Sequence, residues 1–102
     1  MSNDDQTNAS AKTPLFPLGR IVATPGALDL LNRTAMNANE LLARHQCGDW
    51  GDVCGEDAEA NRHAVANGER VLSSYYLNRS ERLWIITEWD RSATTLLLPS
   101  EY

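Results

Sequence analysis

At Arg70 the spacing of apolar side chains changes. Upstream, apolar residues recur three and four apart, as in Ala27, Leu28, Leu30 and Leu31, and then Leu41, Leu42 and His45. Downstream the period is two. Val71, Ser73, Tyr75 and Leu77 alternate with Leu72, Ser74 and Tyr76. Leu83, Ile85, Thr87 and Trp89 alternate with Trp84, Ile86 and Glu88. Residues 93–98 form a third run with Thr94, Thr95 and three leucines. A period near 3.6 buries one stripe of a helix, and a period of two buries one face of a strand. β-Branched and aromatic enrichment supports the strand assignment. The short polar links 78–81 and 90–92 have hairpin length. Segregated helices and strands predict an α+β fold, with two or three N-terminal helices packed on a C-terminal three-stranded antiparallel meander.

The helix ends are written into the upstream half. Thr24 can cap a helix that opens on Pro25 and closes near Asn32 or Arg33. Asn37 can cap the next, with Glu40 three residues on as in a capping box, and Met36 and Leu41 as a hydrophobic staple. Gly48 terminates it. A third helix is expected over residues 56–67, with Glu56, Asp57 and Glu59 in its first turn and Gly68 as its stop. Between them, Gly48-Asp49-Trp50-Gly51-Asp52 reads as a tight turn around one indole. Trp50 there is expected to plug the core, its N–H hydrogen-bonded. Residues 20–23 are a candidate short strand. Residues 1–13 have almost nothing to bury and are expected to be a disordered tail, leaving 14–102 as a single α+β domain.

Composition bounds the function. The 102 residues carry 9 basic and 14 acidic side chains, a net charge of −5, and 42% are hydrophobic. An acidic chain is a poor generic binder of phosphate backbone, so nucleic acid is not the expected partner. No apolar run approaches the roughly 18–20 residues of a membrane span, and no charged-then-apolar leader opens the chain. A cytoplasmic protein with no membrane association is expected. Cys47 and Cys54 read as reduced thiols in that compartment, although a loop can bring them within disulfide reach.

Two groups of residues carry potential chemistry. In the first, His45 at a helix end titrates near neutrality and suits a general acid or base; its plainer role is a C-terminal cap. Trp50, Asp49 and Asp52 beside it are candidate binding residues, for ligand stacking or for a basic docking partner. Pairing His45, Cys47, Cys54 and His63 into a zinc site fails on ligand spacing, and the acidic run lacks EF-hand spacing, so neither metal nor cofactor is expected. The second group is Glu88 and Arg91, with Arg70 and Arg82. A carboxylate, a histidine and arginines facing one sheet surface would suit phosphodiester cleavage. The plainer reading is a cross-strand ion pair. No phosphate loop, Gly-x-Ser-x-Gly elbow or His-Glu-x-x-His helix is present.

Leu15-Phe16-Pro17-Leu18-Gly19-Arg20-Ile21-Val22-Ala23-Thr24-Pro25-Gly26-Ala27-Leu28, then Arg44-His45 with Gly48-Asp49-Trp50-Gly51, then Trp84-Ile85-Ile86-Thr87-Glu88 with Asp90-Arg91-Ser92 and Thr94-Thr95, closing on Leu98-Pro99 and Tyr102, carry a resemblance. Over residues 15–102 the chain resembles a family of small uncharacterised bacterial proteins encoded on plasmids, integrative elements and prophages. The resemblance implies a mobile-element setting and no particular chemistry; Cys47 and Cys54 are not part of its pattern. The leading expectation is a non-enzymatic module that binds another protein, as a regulator or inhibitor. The alternative is a small toxin-like ribonuclease using His45, Glu88 and Arg91. A small-ligand binder using Trp50 or the sheet aromatics is the third reading, and an exposed strand edge leaves homodimer formation open.

Overall fold

The computed structural model describes residues 13–102. The expected tail falls on residues 1–12, outside the described residues, except for Thr13, which is irregular and exposed. In chain order the elements are β1 (Arg20–Ala23), α1 (Pro25–Arg33), α2 (Ala38–Gln46), α3 (Gly55–Asn67), β2 (Val71–Tyr76), β3 (Arg82–Thr87), β4 (Ala93–Leu97) and a closing 3₁₀ turn (Pro99–Glu101). Local signals set the helix ends. The Thr24 hydroxyl accepts from Ala27 N at 3.1 Å, Asn37 accepts from Asn39 N at 2.8 Å, and Gly68 stops α3 at φ 68°. α2 ends at Gln46 and is followed by left-handed Gly48.

The meander is a correction. The sheet has four strands in the order β1-β4-β3-β2, and it is mixed. β2–β3 and β3–β4 are antiparallel, as hairpins of this length require. β1 runs parallel to β4, with Arg20 opposite Ala93 and Ala23 opposite Leu96. The helices therefore do not simply precede the sheet: one strand comes before them, and the 3₁₀ turn follows the last strand. The reason is geometric. A parallel partner must return by a crossover, and here the crossover is most of the chain. β1 covers the edge that a three-stranded meander would leave open along β4, and the Thr24 N–H reaches Leu96 O at 3.0 Å.

Register sorts the sheet into two faces. Val71, Ser73 and Tyr75 lie with Thr87, Ile85 and Leu83, and with Thr94 and Leu96. This face is covered. Ala27, Leu30, Leu31, Leu41 and Leu42 from α1 and α2 pack on Tyr75, Leu83, Ile85 and Leu96. Phe16, Trp50 and Ala64 pack on Val71, which brings α3 onto the same side. The opposite face carries Leu72, Ser74 and Tyr76, then Arg82, Trp84 and Ile86, then Thr95 and Leu97, then Arg20 and Val22. The ring of Tyr102 lies on it, against Trp84 at 5.7 Å, and Ser74, Ile86 and Leu97 are buried there, while Arg20, Val22 and Tyr76 stay exposed. Among the described residues no helix is long and apolar enough to cross a membrane.

Candidate functional site

His45 ends the buried stripe of α2 and points into the covered face. It is 0% exposed. Its Nδ1 lies 2.5 Å from Ser73 Oγ and its Nε2 lies 2.9 Å from Thr87 Oγ1. Thr87 Oγ1 meets Thr94 Oγ1 at 2.7 Å, and Thr94 donates to Leu18 O at 2.7 Å. A hydroxyl has one proton, so the chain of donors has one direction. Thr94 spends its proton on Leu18, and so accepts from Thr87. Thr87 therefore accepts from His45, which fixes the Nε2–H tautomer and leaves Nδ1 to accept from Ser73. Burial, and then the charge of Arg91, push His45 down to about 4. The imidazole is thus neutral at physiological pH, with both nitrogens satisfied. Ser73 and His45 stand in hydrogen-bond contact as a nucleophile and base would. Both are 0% exposed, so no substrate atom reaches them.

The other members of the expected catalytic set are elsewhere. Arg91 sits in the β3–β4 turn at φ 60°, a left-handed conformation uncommon for a side-chain-bearing residue. Its guanidinium donates to Glu69 O at 2.5 Å, Glu88 O at 3.1 Å and Ala64 O at 3.0 Å. It stacks on Phe16 at 5.2 Å, and the same ring meets His45 edge-on at 5.3 Å. Arg91 therefore closes the end of α3 and the lid over His45. The Glu88 backbone closes the β3–β4 turn through Ala93 O and Arg91 N, while its side chain is half-buried. Arg70 and Arg82 flank the uncovered face, with the sheet between them and His45. The histidine and these arginines do not share a surface.

Trp50 is 7% exposed and wedges between α3 and the sheet, as a core plug does. The expectation that its N–H is hydrogen-bonded is corrected: Nε1 is buried without a partner. Asp49 pairs with Arg44 at 2.7 Å, and its carbonyl accepts from Tyr75 OH at 2.5 Å. Arg44 also covers the Tyr75 ring at 4.6 Å. Gly51 runs alongside β2, and a Cβ there would lie 2.3 Å from Ser74 O, so only glycine fits at φ 73°. Asp52 caps the sheet edge by accepting from Tyr76 N at 3.3 Å. The turn's acids thus hold the turn to the sheet. Cys47 and Cys54 are free thiols, and His63 pairs with Glu69 at 3.1 Å. Among the described residues no group of three or more His, Cys, Asp or Glu could hold a metal.

What the sequence reading missed is how the cations divide. Arg33 forks onto Glu81 and Asp29, Arg44 pairs with Asp49, and Arg62 pairs with Glu59. Arg91 is spent on carbonyls. Arg20, Arg70, Arg79 and Arg82 have no salt bridge among the described residues; Arg79 lies in the β2–β3 turn, and register assigns Arg20 and Arg82 to the uncovered face. Arg82 stacks on Tyr76 at 4.7 Å and donates to its hydroxyl at 2.8 Å. Arg70 donates to Tyr102 OH and lies 5.5 Å from that ring. Beside them, Trp84 Nε1 is buried without an acceptor. The alternation of residues 70–76 and 82–86 contained this signal, once the even positions were read as one surface. Comparison with family models, with curated proteins and with solved structures yielded no match to this chain.

Proposed function

We propose that the chain is a non-catalytic binding module of the bacterial cytoplasm, whose working surface is the uncovered sheet face. Its partner is a protein segment rich in carboxylates. The supporting observation is that, on a chain of net charge −5, two arginines without carboxylate partners, Arg70 and Arg82, stand with Tyr102 and Tyr76 beside Trp84 at one face. Guanidinium groups already stacked on rings are pre-ordered, so less freedom is lost when they fork onto carboxylates. The sealed His45 and the spent Arg91 support a binding role over the ribonuclease alternative. A regulator or inhibitor carried on a mobile element is the setting that the sequence resemblance adds.

Calorimetric titration with a tyrosine-containing Glu/Asp-rich peptide tests this reading. The peptide should bind the wild type, and binding should weaken as salt rises. An Arg70→Gln/Arg82→Gln double variant should bind about tenfold more weakly, since two partly exposed charge contacts together contribute about 1.4 kcal/mol. Binding of single-stranded RNA in place of the peptide would overturn the reading, as would equal peptide affinity in the double variant.

A further inference from the structure

The two edges of this sheet are finished very differently. Along β2 the outward N–H groups of Leu72, Ser74 and Tyr76 and the carbonyls of Leu72 and Ser74 are all met. Leu72 N–H donates to Asn61 Oδ1 at 3.1 Å, and Leu72 O accepts from Asn61 Nδ2 at 2.6 Å, so one side-chain amide imitates a strand residue. Ser74 N–H donates to Trp50 O at 3.0 Å, and its carbonyl accepts from Asp52 N at 2.6 Å. Tyr76 N–H goes to the Asp52 carboxylate. Along β1 nothing comparable exists among the described residues. Arg20 N and Thr24 N face β4, bonding Ser92 O and Leu96 O. Alternation therefore turns the N–H and C=O groups of Ile21 and Ala23 outward, where they have no backbone partner among the described residues. Ile21 is 46% and Val22 41% exposed, and Leu15 and Leu28 nearby in the chain are half-exposed or more. The strand has no proline or bulge, and its one charge is at its first residue. Apart from its shortness, it lacks the usual guards of a free edge.

The geometry points to a second copy of this chain as the occupant: β1 pairs antiparallel with β1 of the copy about a twofold axis at Val22. In that register Ile21 faces Ala23 of the copy and Ala23 faces its Ile21, so both outward pairs exchange N–H and C=O bonds. Arg20 then faces Thr24, and no like charges oppose. Charge also favours this edge. The acidic first turn of α3, with Glu56 and Asp57, belongs to the β2 side of the sheet. Joining two copies of net charge −5 at β1 holds those acids at the far ends of an eight-stranded sheet. The two uncovered faces become continuous, with Arg20 of each copy near the seam. So short a seam falls among small interfaces, and the dimer is weak and reversible.

This inference stands apart from the acidic-partner reading, because it concerns an edge and not the face. Sedimentation equilibrium over micromolar to millimolar concentration should show the mass rising from 11.3 kDa towards twice that value. Ile21→Lys puts a charge on an exposed edge position, and should hold the protein monomeric with its melting temperature unchanged. Hydrogen exchange on the wild type gives an independent reading: the Ile21 and Ala23 amides should gain protection with concentration, and the Leu72 amide should not. A monomer throughout, a dimer undisturbed by Ile21→Lys, or no concentration dependence at those two amides would each overturn the proposal.

Discussion

His45 shows how one residue can look catalytic in sequence and be architectural in space. A histidine at a helix end invites an acid–base role, but here it bridges α2 to three strands and to the entry segment through Ser73, Thr87 and Thr94. Its neutrality has a consequence for stability. The unfolded imidazole takes a proton near pH 6.5, whereas the folded one resists until about 4. Between those values the unfolded state binds more protons, so stability falls as the pH is lowered from 6.5 to 4. The gap corresponds to about 3 kcal/mol in total. Urea denaturation at a series of pH values should show this loss flattening below pH 4, apart from the carboxylates. His45→Gln should remove most of the slope. A wild-type curve flat from pH 6.5 to 4.5 would contradict the buried neutral tautomer.

At the scale of elements, the strongest local signals were legible. Thr24-Pro25, Asn37, Gly48 and Gly68 each mark a helix boundary that backbone chemistry imposes, and the period-two runs after Arg70 became β2, β3 and β4. β1 was legible only as a candidate strand, and its place in the sheet was not. Its burial shows no alternation, and its partner lies some 70 positions away with no turn to set the register. The relay under His45 was hidden for a related reason: Ser73, Thr87 and Thr94 look like ordinary strand positions until register aligns them. Asn61 was hidden as well, being a polar residue in a helix with little apolar content. Its two bonds to Leu72 make it the sealant of the β2 edge, so Asn61→Ala should cost about 2 kcal/mol by leaving backbone groups unsatisfied. Chemical denaturation measures this directly, and a change below about 0.5 kcal/mol, the scale of an ordinary surface substitution, would deny Asn61 that role.

For the whole molecule, the sheet works as a partition. On one side three helices, the Trp50 wedge and the Arg91–Phe16 lid enclose His45, Ser73, Thr87 and Thr94. On the other, arginines without carboxylates and aromatic rings meet solvent. The sequence supplied the residues of both sides, yet it listed His45, Glu88 and the arginines as one constellation, because the parity that separates them only acquires meaning once strand register is known. Chemical-shift mapping on ¹⁵N-labelled protein, titrated with the acidic peptide, tests this partition most directly. The account predicts shifts at the Trp84 indole N–H, the Arg70 and Arg82 side-chain N–H groups and the β3 amides, with the His45 imidazole nitrogens unmoved. Shifts centred on His45 and Ser73, or on α3, with the β3 face silent, would contradict it.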